Sequence, residues 1–411
     1  MKLNLKKCAS AAALPLIVMS SFLGAAQNMD GNGCNEKSCN CEIPQAACNS
    51  EGCDCYYCYG PSNCAVNAPV RPKTCDGDIG ITVSGFYWNA HQDGMEYAIK
   101  NQVSLIDPAS PSATEALNTL VDARYETPNF KWDWGFKLGL SHSGCHDGWD
   151  IGVVWTWYRG RSSGHIEAEQ DDNCTLIPLW TDFVHPRSGG ITYARDIKED
   201  WKLKLNLIDL ELGREFWVSK YLAIRPHVGV RVAFIDQEFD IEHKGGTFSA
   251  SNGLNGFVDL ENDFKGAGVR AGLDSVWHLG CGWGFYGNFA ASIVYGRFNV
   301  DHDEYVREAT GSFEKIKLLE TKNSFRASRG MLDLALGVQY STMFCDCCYA
   351  LTAMLGWEQH LFFDQNQMWR VVRVGANSGG SIPNNAGQNV FHERRGDLDT
   401  QGVTLTLKFE F

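Results

Sequence analysis

The sequence predicts an all-β fold: a transmembrane antiparallel up-and-down β-barrel of about ten strands, with a Cys-rich N-terminal segment. Three observations carry this reading. They are a secretory leader, strict period-two alternation of apolar side chains after residue 80, and a regular exchange of short and long connections between the alternating segments.

The leader occupies residues 1–26. Lys2, Lys6 and Lys7 precede an apolar stretch from Ala9 to Leu23 that ends in Gly24, Ala25 and Ala26. A basic start, a short apolar core and a small-residue end make a cleavable signal peptide, with Gln27 as the expected new N-terminus. The core is too short to anchor the chain in a bilayer. No cysteine follows the small residues to accept a lipid, and Cys8 leaves with the leader.

Residues 27–79 hold Cys34, Cys39, Cys41, Cys48, Cys53, Cys55, Cys58, Cys64 and Cys75 among Asn, Gly, Ser and Pro. In an exported chain this density predicts a periplasmic segment held by disulfides, because the compartment is oxidising and the segment has too few apolar residues for a core. Cys55 and Cys58 have metal-ligand spacing, but no matched second pair with a surrounding helical or hairpin pattern supports a metal site, so no metal or other cofactor is expected. Pro69, Pro72 and Gly77 mark the boundary with a barrel expected over residues 80–411.

Bulk composition conceals the barrel. Mean hydropathy is −0.24, 44% of residues are hydrophobic and the net charge is −13. After the leader, no apolar run is long enough for a membrane helix. Alternating strands average to the same low hydropathy, because every second residue faces a polar lumen. The acidic balance excludes nucleic acid as an expected partner.

Alternation then defines the strands one by one. Phe86 and Trp88 share a face of the first. In the second, Trp132, Trp134, Phe136, Leu138 and Leu140 alternate with Asp133, Gly135, Lys137 and Gly139; in the third, Trp149, Ile151, Val153, Trp155 and Trp157 alternate with Asp150, Gly152 and Thr156. The fourth runs Trp201, Leu203, Leu205, Leu207 and then shifts phase to Leu210 and Leu212, which predicts a β-bulge near Leu207 and Ile208. The fifth to ninth carry the same signal over Leu222–Val232, Ala267–Trp277, Trp283–Tyr295, Leu332–Tyr340 and Tyr349–Trp357. In the tenth, Val403, Leu405, Leu407, Phe409 and Phe411 alternate with Thr404, Thr406, Lys408 and Glu410, and the chain stops on Phe411. Such a terminal strand, with Phe409 and Phe411 as the signal, makes the barrel-assembly machinery an expected partner beside outer-membrane lipid.

Short connections follow strands two, four, six and eight, and connections of about 25–40 residues follow the odd strands, the asymmetry of periplasmic turns and extracellular loops. Both termini fall on the short-turn side. The long connections leave room for further strands, near Gly164–Glu169 or Phe239–His243, so twelve to sixteen stay open.

Several stretches resemble the major outer membrane protein family of Legionella and its relatives in chlamydia-like bacteria. They are Trp132–Leu138, Trp201–Arg214, Pro226–Arg231, Phe264–Gly272 with Leu273 and Asp274, and Tyr295–Phe298. The resemblance implies an abundant outer-membrane barrel with porin-like or surface roles. The Cys-rich segment departs from the Legionella pattern and points to the chlamydia-like branch, whose envelopes rely on disulfide crosslinking.

The expected lumen face carries Asp133, Lys137, Asp150, Lys202, Lys204, Asp209, Glu211, Arg225, Arg231, Arg270, Asp274, Asp333 and Glu358. Mixed charge suits either a water-filled pore or a barrel plugged by its own ion pairs, and strand number decides which. Cys145, Cys281, Cys345, Cys347 and Cys348 fall in short turns, whereas Cys174 lies in a long connection. That placement predicts disulfides to the Cys-rich segment, to another copy or to other Cys-rich envelope proteins. Of the 16 cysteines, the fifteen left after Cys8 make an odd number, so not all can pair within one chain. No enzyme is expected: there is no Gly-x-Ser-x-Gly elbow and no His-Glu-x-x-His helix, and Asp301-His302-Asp303-Glu304 is expected to be a solvated acidic loop. The function expected is porin-like diffusion, a crosslinked structural role in the envelope, or both, with surface adhesion through the long loops as the alternative.

Overall fold

The computed structural model describes residues 68–69, 78–102, 123–143, 149–168, 174–181, 194–245, 253–308, 314–344, 349–374 and 388–411. Among them, ten long strands form one sheet: β1 (Asp78–Gln92), β2 (Trp132–Ser143), β3 (Trp149–Glu167), β4 (Asp196–Arg214), β5 (Leu222–Lys244), β6 (Gly253–Gly280), β7 (Trp283–Glu308), β8 (Lys315–Phe344), β9 (Tyr349–Asn366) and β10 (Gly396–Glu410). Each pairs antiparallel with its neighbours in chain order. The sheet closes on itself because β10 pairs with β1, from Leu398 opposite Gln92 to Glu410 opposite Gly80. Closure leaves no open edge within the lipid-facing part of the sheet, which a bilayer demands of any sheet that crosses it.

The lipid-facing belt lies at the short-turn end. Outward side chains there are apolar on every strand, for example Ile79, Ile81 and Val83 on β1, Val228 and Val230 on β5, Ile293 on β7, and Leu336, 71% exposed, on β8. Aromatics border the belt. Trp149, Trp277, Trp283 and Tyr349 stand near the turns, and Tyr87, Trp132, Trp134, Tyr295 and Trp357 stand at the far side. On that far side Tyr87 contacts Trp132 and Trp134 at ring-centroid distances of 5.5 and 4.9 Å, and Trp132 reaches Trp357 at 6.1 Å. This is the paired girdle of a membrane barrel.

Beyond the belt the strands continue while their chemistry inverts. On β5 the residues Val228, Val230 and Phe234 face out, and the same face then carries Asp236, Glu238, Asp240 and Glu242; the inner face passes from Arg225 and Arg231 to Ile235, Phe239 and Ile241, all buried. The pleat never changes phase, since β5 pairs with β6 without a break from Leu222 to Lys244. Water replaces lipid outside, and an apolar core fills the inside.

This inversion corrects several expectations. β4 has no bulge: its register with β5 runs unbroken from Gly213 opposite His227 to Asp196 opposite Lys244. Trp201, Leu203, Leu205 and Leu207 are buried inward in the part above the belt, while Ile208, Leu210 and Leu212 face lipid. Lys202 and Lys204 therefore lie on the outer face and not in the lumen. Phe86 and Trp88 point inward as well, leaving Ile79, Ile81, Val83 and Tyr87 to the lipid. Gly164–Glu167 and Phe239–His243 extend β3 and β5 instead of adding strands, so the sheet's closed circuit has ten. The connections after β5 and β7 shrink to residues 245–252 and 309–314, because β6, β7 and β8 reach 28, 26 and 30 residues. Asp301-His302-Asp303-Glu304 is part of β7, with His302 and Glu304 buried and not solvated.

Smaller sheets cover the far end. Ala98–Gln102 pairs with Arg124–Glu126 and with Cys174–Pro178, and Trp369–Val374 pairs with Gln388–Glu393. At the opposite end, Ala68–Pro69 pairs with Phe216–Trp217 beside the connection between β4 and β5, which brings the end of the N-terminal segment against the short turns.

Candidate functional site: the barrel interior

The interior has two floors, and each is closed differently. The lower floor lies within the lipid-facing belt and is lined by charge. Arg225 on β5 holds Asp150 of β3 through two nitrogens, with Nη2 2.5 Å and Nε 2.9 Å from its carboxylate, and Asp274 of β6 through Nη1 at 2.8 Å. Arg231, three pleat repeats further along the same face, is bidentate to Asp209 of β4 at 2.6 and 2.7 Å and reaches Asp333 of β8 at 2.8 Å. Arg270 of β6 bonds Glu211 at 3.0 Å and also meets Asp333. His360 of β9 lies 2.7 Å from Asp333 and 3.6 Å from Glu358. Glu358 in turn accepts from Lys137 of β2 at 2.6 Å.

These contacts form one chain of charges running from β3 through β4, β5, β6, β8 and β9 to β2. Each buried ion is compensated by at least one opposite charge with hydrogen-bond geometry, the condition under which charge tolerates a low-dielectric interior. Inward glycines make room for it. A Cβ at Gly213 would strike the Arg225 guanidinium, and one at Gly272 would strike the His227 ring. Among the described residues the network leaves a cavity of about 210 Å³ lined by Lys137, Asp209, Arg231, Arg270, Asp333 and Glu358 among others.

The upper floor is apolar. Trp88 caps the charged chain, with its ring 4.7 Å from that of His360 and 5.0 Å from the Lys137 ammonium. Its indole N–H donates to Thr404 Oγ1 at 3.1 Å, and Tyr158 Oη donates to its backbone carbonyl at 3.0 Å. Above it Leu203, Leu205, Ile235, Phe239, Phe264, Phe298 and Phe362 fill the barrel. Segments of the connections enter the same core: Met95, Tyr97 and Ala98 from the first, Leu176, Leu179 and Trp180 from the second, and Met368 from the last. Trp180 packs edge-on against Phe239 at 5.9 Å.

Buried polar groups pin these segments. Glu304 accepts from Thr181 Oγ1 at 3.1 Å and lies 3.0 Å from His302 Nε2, whose Nδ1 is 3.1 Å from the Trp369 carbonyl oxygen. Burial pushes the Glu199 carboxyl above its usual range, although the Ser162 hydroxyl donates to it at 2.7 Å. Burial alone lowers His243 to about 4. Tyr97, packed beside Glu199, is raised by burial first and by that carboxylate second.

Of the charges read from the sequence, Lys137, Asp150, Asp209, Glu211, Arg225, Arg231, Arg270, Asp274, Asp333 and Glu358 meet in this one network. Asp133 stands apart and pairs with the exposed Arg161 at 3.4 Å. Lys202 and Lys204 pair on the outer surface with Asp240 and Glu238 at 3.2 and 2.6 Å. The sequence reading missed His227 and His360, although both share the inward parity of Arg225 and Glu358. It named His302 and Glu304 only as part of a solvated acidic loop, because their acidic neighbours disguised their burial. Phe409 and Phe411 sit at the end of β10, where Phe411 exchanges both backbone hydrogen bonds with Ile79 at 2.8 and 3.0 Å. Cys281 is exposed in the two-residue hairpin between β6 and β7, with φ +53° followed by Gly282 at +79°. Those angles are a type I′ turn. Cys174 begins a short strand. The expected leader and Cys34, Cys39, Cys41, Cys48, Cys53, Cys55, Cys58, Cys64, Cys75, Cys145, Cys345, Cys347 and Cys348 lie outside the described residues.

Comparison with solved structures gives distant likenesses. The outer membrane protease OmpT from Escherichia coli is 11% identical, with a TM-score of 0.32 over 81% of this chain and 96% of that one. The toluene transporter TodX of Pseudomonas putida is 9% identical, with a TM-score of 0.28 over 82% and 89%. The attachment invasion locus protein Ail of Yersinia pestis is 10% identical, with a TM-score of 0.18 over 64% and 97%. No curated protein sequence matches. Residues 72–411 match the family described as the Legionella pneumophila major outer membrane protein precursor, and the chain belongs to that family.

Proposed function

We propose that this outer-membrane barrel is a structural element of the cell envelope, closed to solutes and tied by disulfides on its short-turn side. The observation that supports it most is the two-floor closure. Ten strands enclose little more than their own side chains, ion pairs occupy the lower floor, and a largely apolar core occupies the upper. The short turns and the N-terminal segment face the periplasm in this reading, and Cys281 stands there exposed on a hairpin. The same reading gives the chain no enzymatic role.

Conductance across planar bilayers tests the closure. The folded protein is expected to give no sustained single-channel steps, and steps scaling with protein concentration would refute it. Non-reducing gels of intact envelopes test the linkage, and Cys281→Asn is the informative variant because Asn accepts the positive φ of that turn. Crosslinked bands should diminish in the variant; a pattern of monomer alone in the parent would end the linkage proposal.

A second reading, porin-like diffusion, is favoured by the cavity of about 210 Å³ in the charged floor. The upper closure rests partly on segments 95–98 and 176–180, which belong to connections and not to the barrel wall. Their displacement would join the charged floor to the outside.

A further inference from the structure

β3 and β4 carry, on their outer face beyond the lipid-facing belt, three donors that the envelope role does not use: His165, Glu167 and Asp196. His165 and Glu167 are two residues apart and emerge on one face of β3. Glu167 directly opposes Asp196, and His165 lies diagonal to it. All three offer ligand atoms within 4.8 Å of one another. His165 Nε2 is 3.1 Å from Asp196 Oδ1 and 3.5 Å from Glu167 Oε1.

Two carboxylates placed directly opposite on neighbouring strands repel each other, and a cation between them removes that cost. The spacing also has a metal's dimensions. Bonds of about 2.0–2.2 Å from zinc to imidazole nitrogen and carboxylate oxygen set neighbouring ligand atoms roughly 2.8–3.6 Å apart at octahedral or tetrahedral angles. Both measured separations fall in that interval. The backbone holds the donors in place: Ala168 N donates to Arg195 O at 2.7 Å, and Arg195 N donates to Lys244 O at 2.8 Å. We propose that His165, Glu167 and Asp196 bind a divalent transition-metal ion of the zinc class, with water completing its coordination.

The nearby cations are Lys198, opposite His165 on β4, and Lys244, opposite Asp196 on β5. Lys244 Nζ is 3.3 Å from Glu242 Oε1, which draws its charge from the site. Lys198 is exposed and opposes metal binding, so its removal should tighten it. The ion would fasten the end of β3 to the start of β4, at the base of the connection between them.

Cobalt(II) is the probe, added to the full mature chain folded in detergent. An imidazole and carboxylate set gives weak visible bands without the thiolate charge-transfer absorption that the cysteines would produce, and zinc should displace the cobalt. His165→Ala is expected to weaken binding at least ~10-fold, the lower bound set by losses seen for mere second-shell changes, and Asp196→Asn likewise. Lys198→Ala should strengthen it, and Cys281→Asn should leave it unchanged. Heat-modifiable gel mobility reports whether each variant barrel is folded. No cobalt band in the folded parent, a thiolate-dominated spectrum, or equal affinity in folded His165→Ala overturns the site.

Discussion

Arg231 on β5 and Asp333 on β8 meet inside the barrel at 2.8 Å, although two strands separate theirs in the sheet. Arg231 is also bidentate to Asp209 on β4, so one buried guanidinium ties three strands together. A pore that conducted freely would need these groups apart and hydrated. Here each is desolvated and dependent on the others.

Removing one partner should therefore cost far more than an exposed ion pair. Arg231→Met leaves Asp209 and Asp333 with only part of their compensation. The expected loss is about 3–5 kcal/mol in reversible urea unfolding in detergent. Arg231→Met combined with Asp209→Leu should recover part of it, and additive losses would show that the two residues are not coupled.

The belt and the surface above it should respond oppositely to charge. Leu336→Arg places a cation on the lipid face and should destabilise the barrel by about 2–4 kcal/mol. Glu261 faces outward on β6 above the belt, opposite Glu238 and Asp301. Its carboxyl is raised by burial first and then by those two acids. Glu261→Arg should leave stability within ~0.5 kcal/mol or raise it. Equal losses in lipid-reconstituted unfolding would misplace the membrane boundary.

Acid should loosen the upper floor through His243. Burial lowers its pKa from 6.5 to about 4, so the folded state resists protonation that the unfolded chain accepts. Above pH 6.5 both states are neutral and no penalty exists. As pH falls from 6.5 to about 4 the penalty grows toward roughly 3 kcal/mol and then levels off. Glu199, whose pKa is raised by burial, works in the other direction and gains stability as its carboxylate protonates. Comparing the parent with His243→Leu between pH 7 and pH 4.5 isolates the histidine. Parallel pH curves for the two proteins would contradict its burial as a neutral ring.

Emptying the upper floor should admit ions. Replacing residues 174–181 by a Gly-Ser linker of equal length removes Leu176, Leu179 and Trp180 from the core that includes Phe239 and Phe264. Conductance in planar bilayers should rise above that of the parent. If Arg231→Ala with Arg270→Ala is needed as well before any steps appear, the charged floor is the tighter barrier.

The sequence by itself determined the strand order, the even count and the lipid-facing belt. Lipid outside and charge inside force apolar and polar residues to alternate, and that alternation is local in the chain, as in Trp149–Trp157 or Val403–Phe411. It misjudged Lys202, Lys204, Phe86 and Trp88 because alternation fixes which residues share a face and not which face looks inward. Above the belt the same pleat carries the opposite chemistry, so Trp201–Leu207 looked like a lipid face displaced by a bulge. Only the tertiary structure decided where lipid ends on each strand, and only closure of β10 on β1 brought Lys137 to Glu358 and Arg231 to Asp333. Those partners lie 221 and 102 positions apart in the chain, and no local pattern links charges that meet only when the cylinder closes.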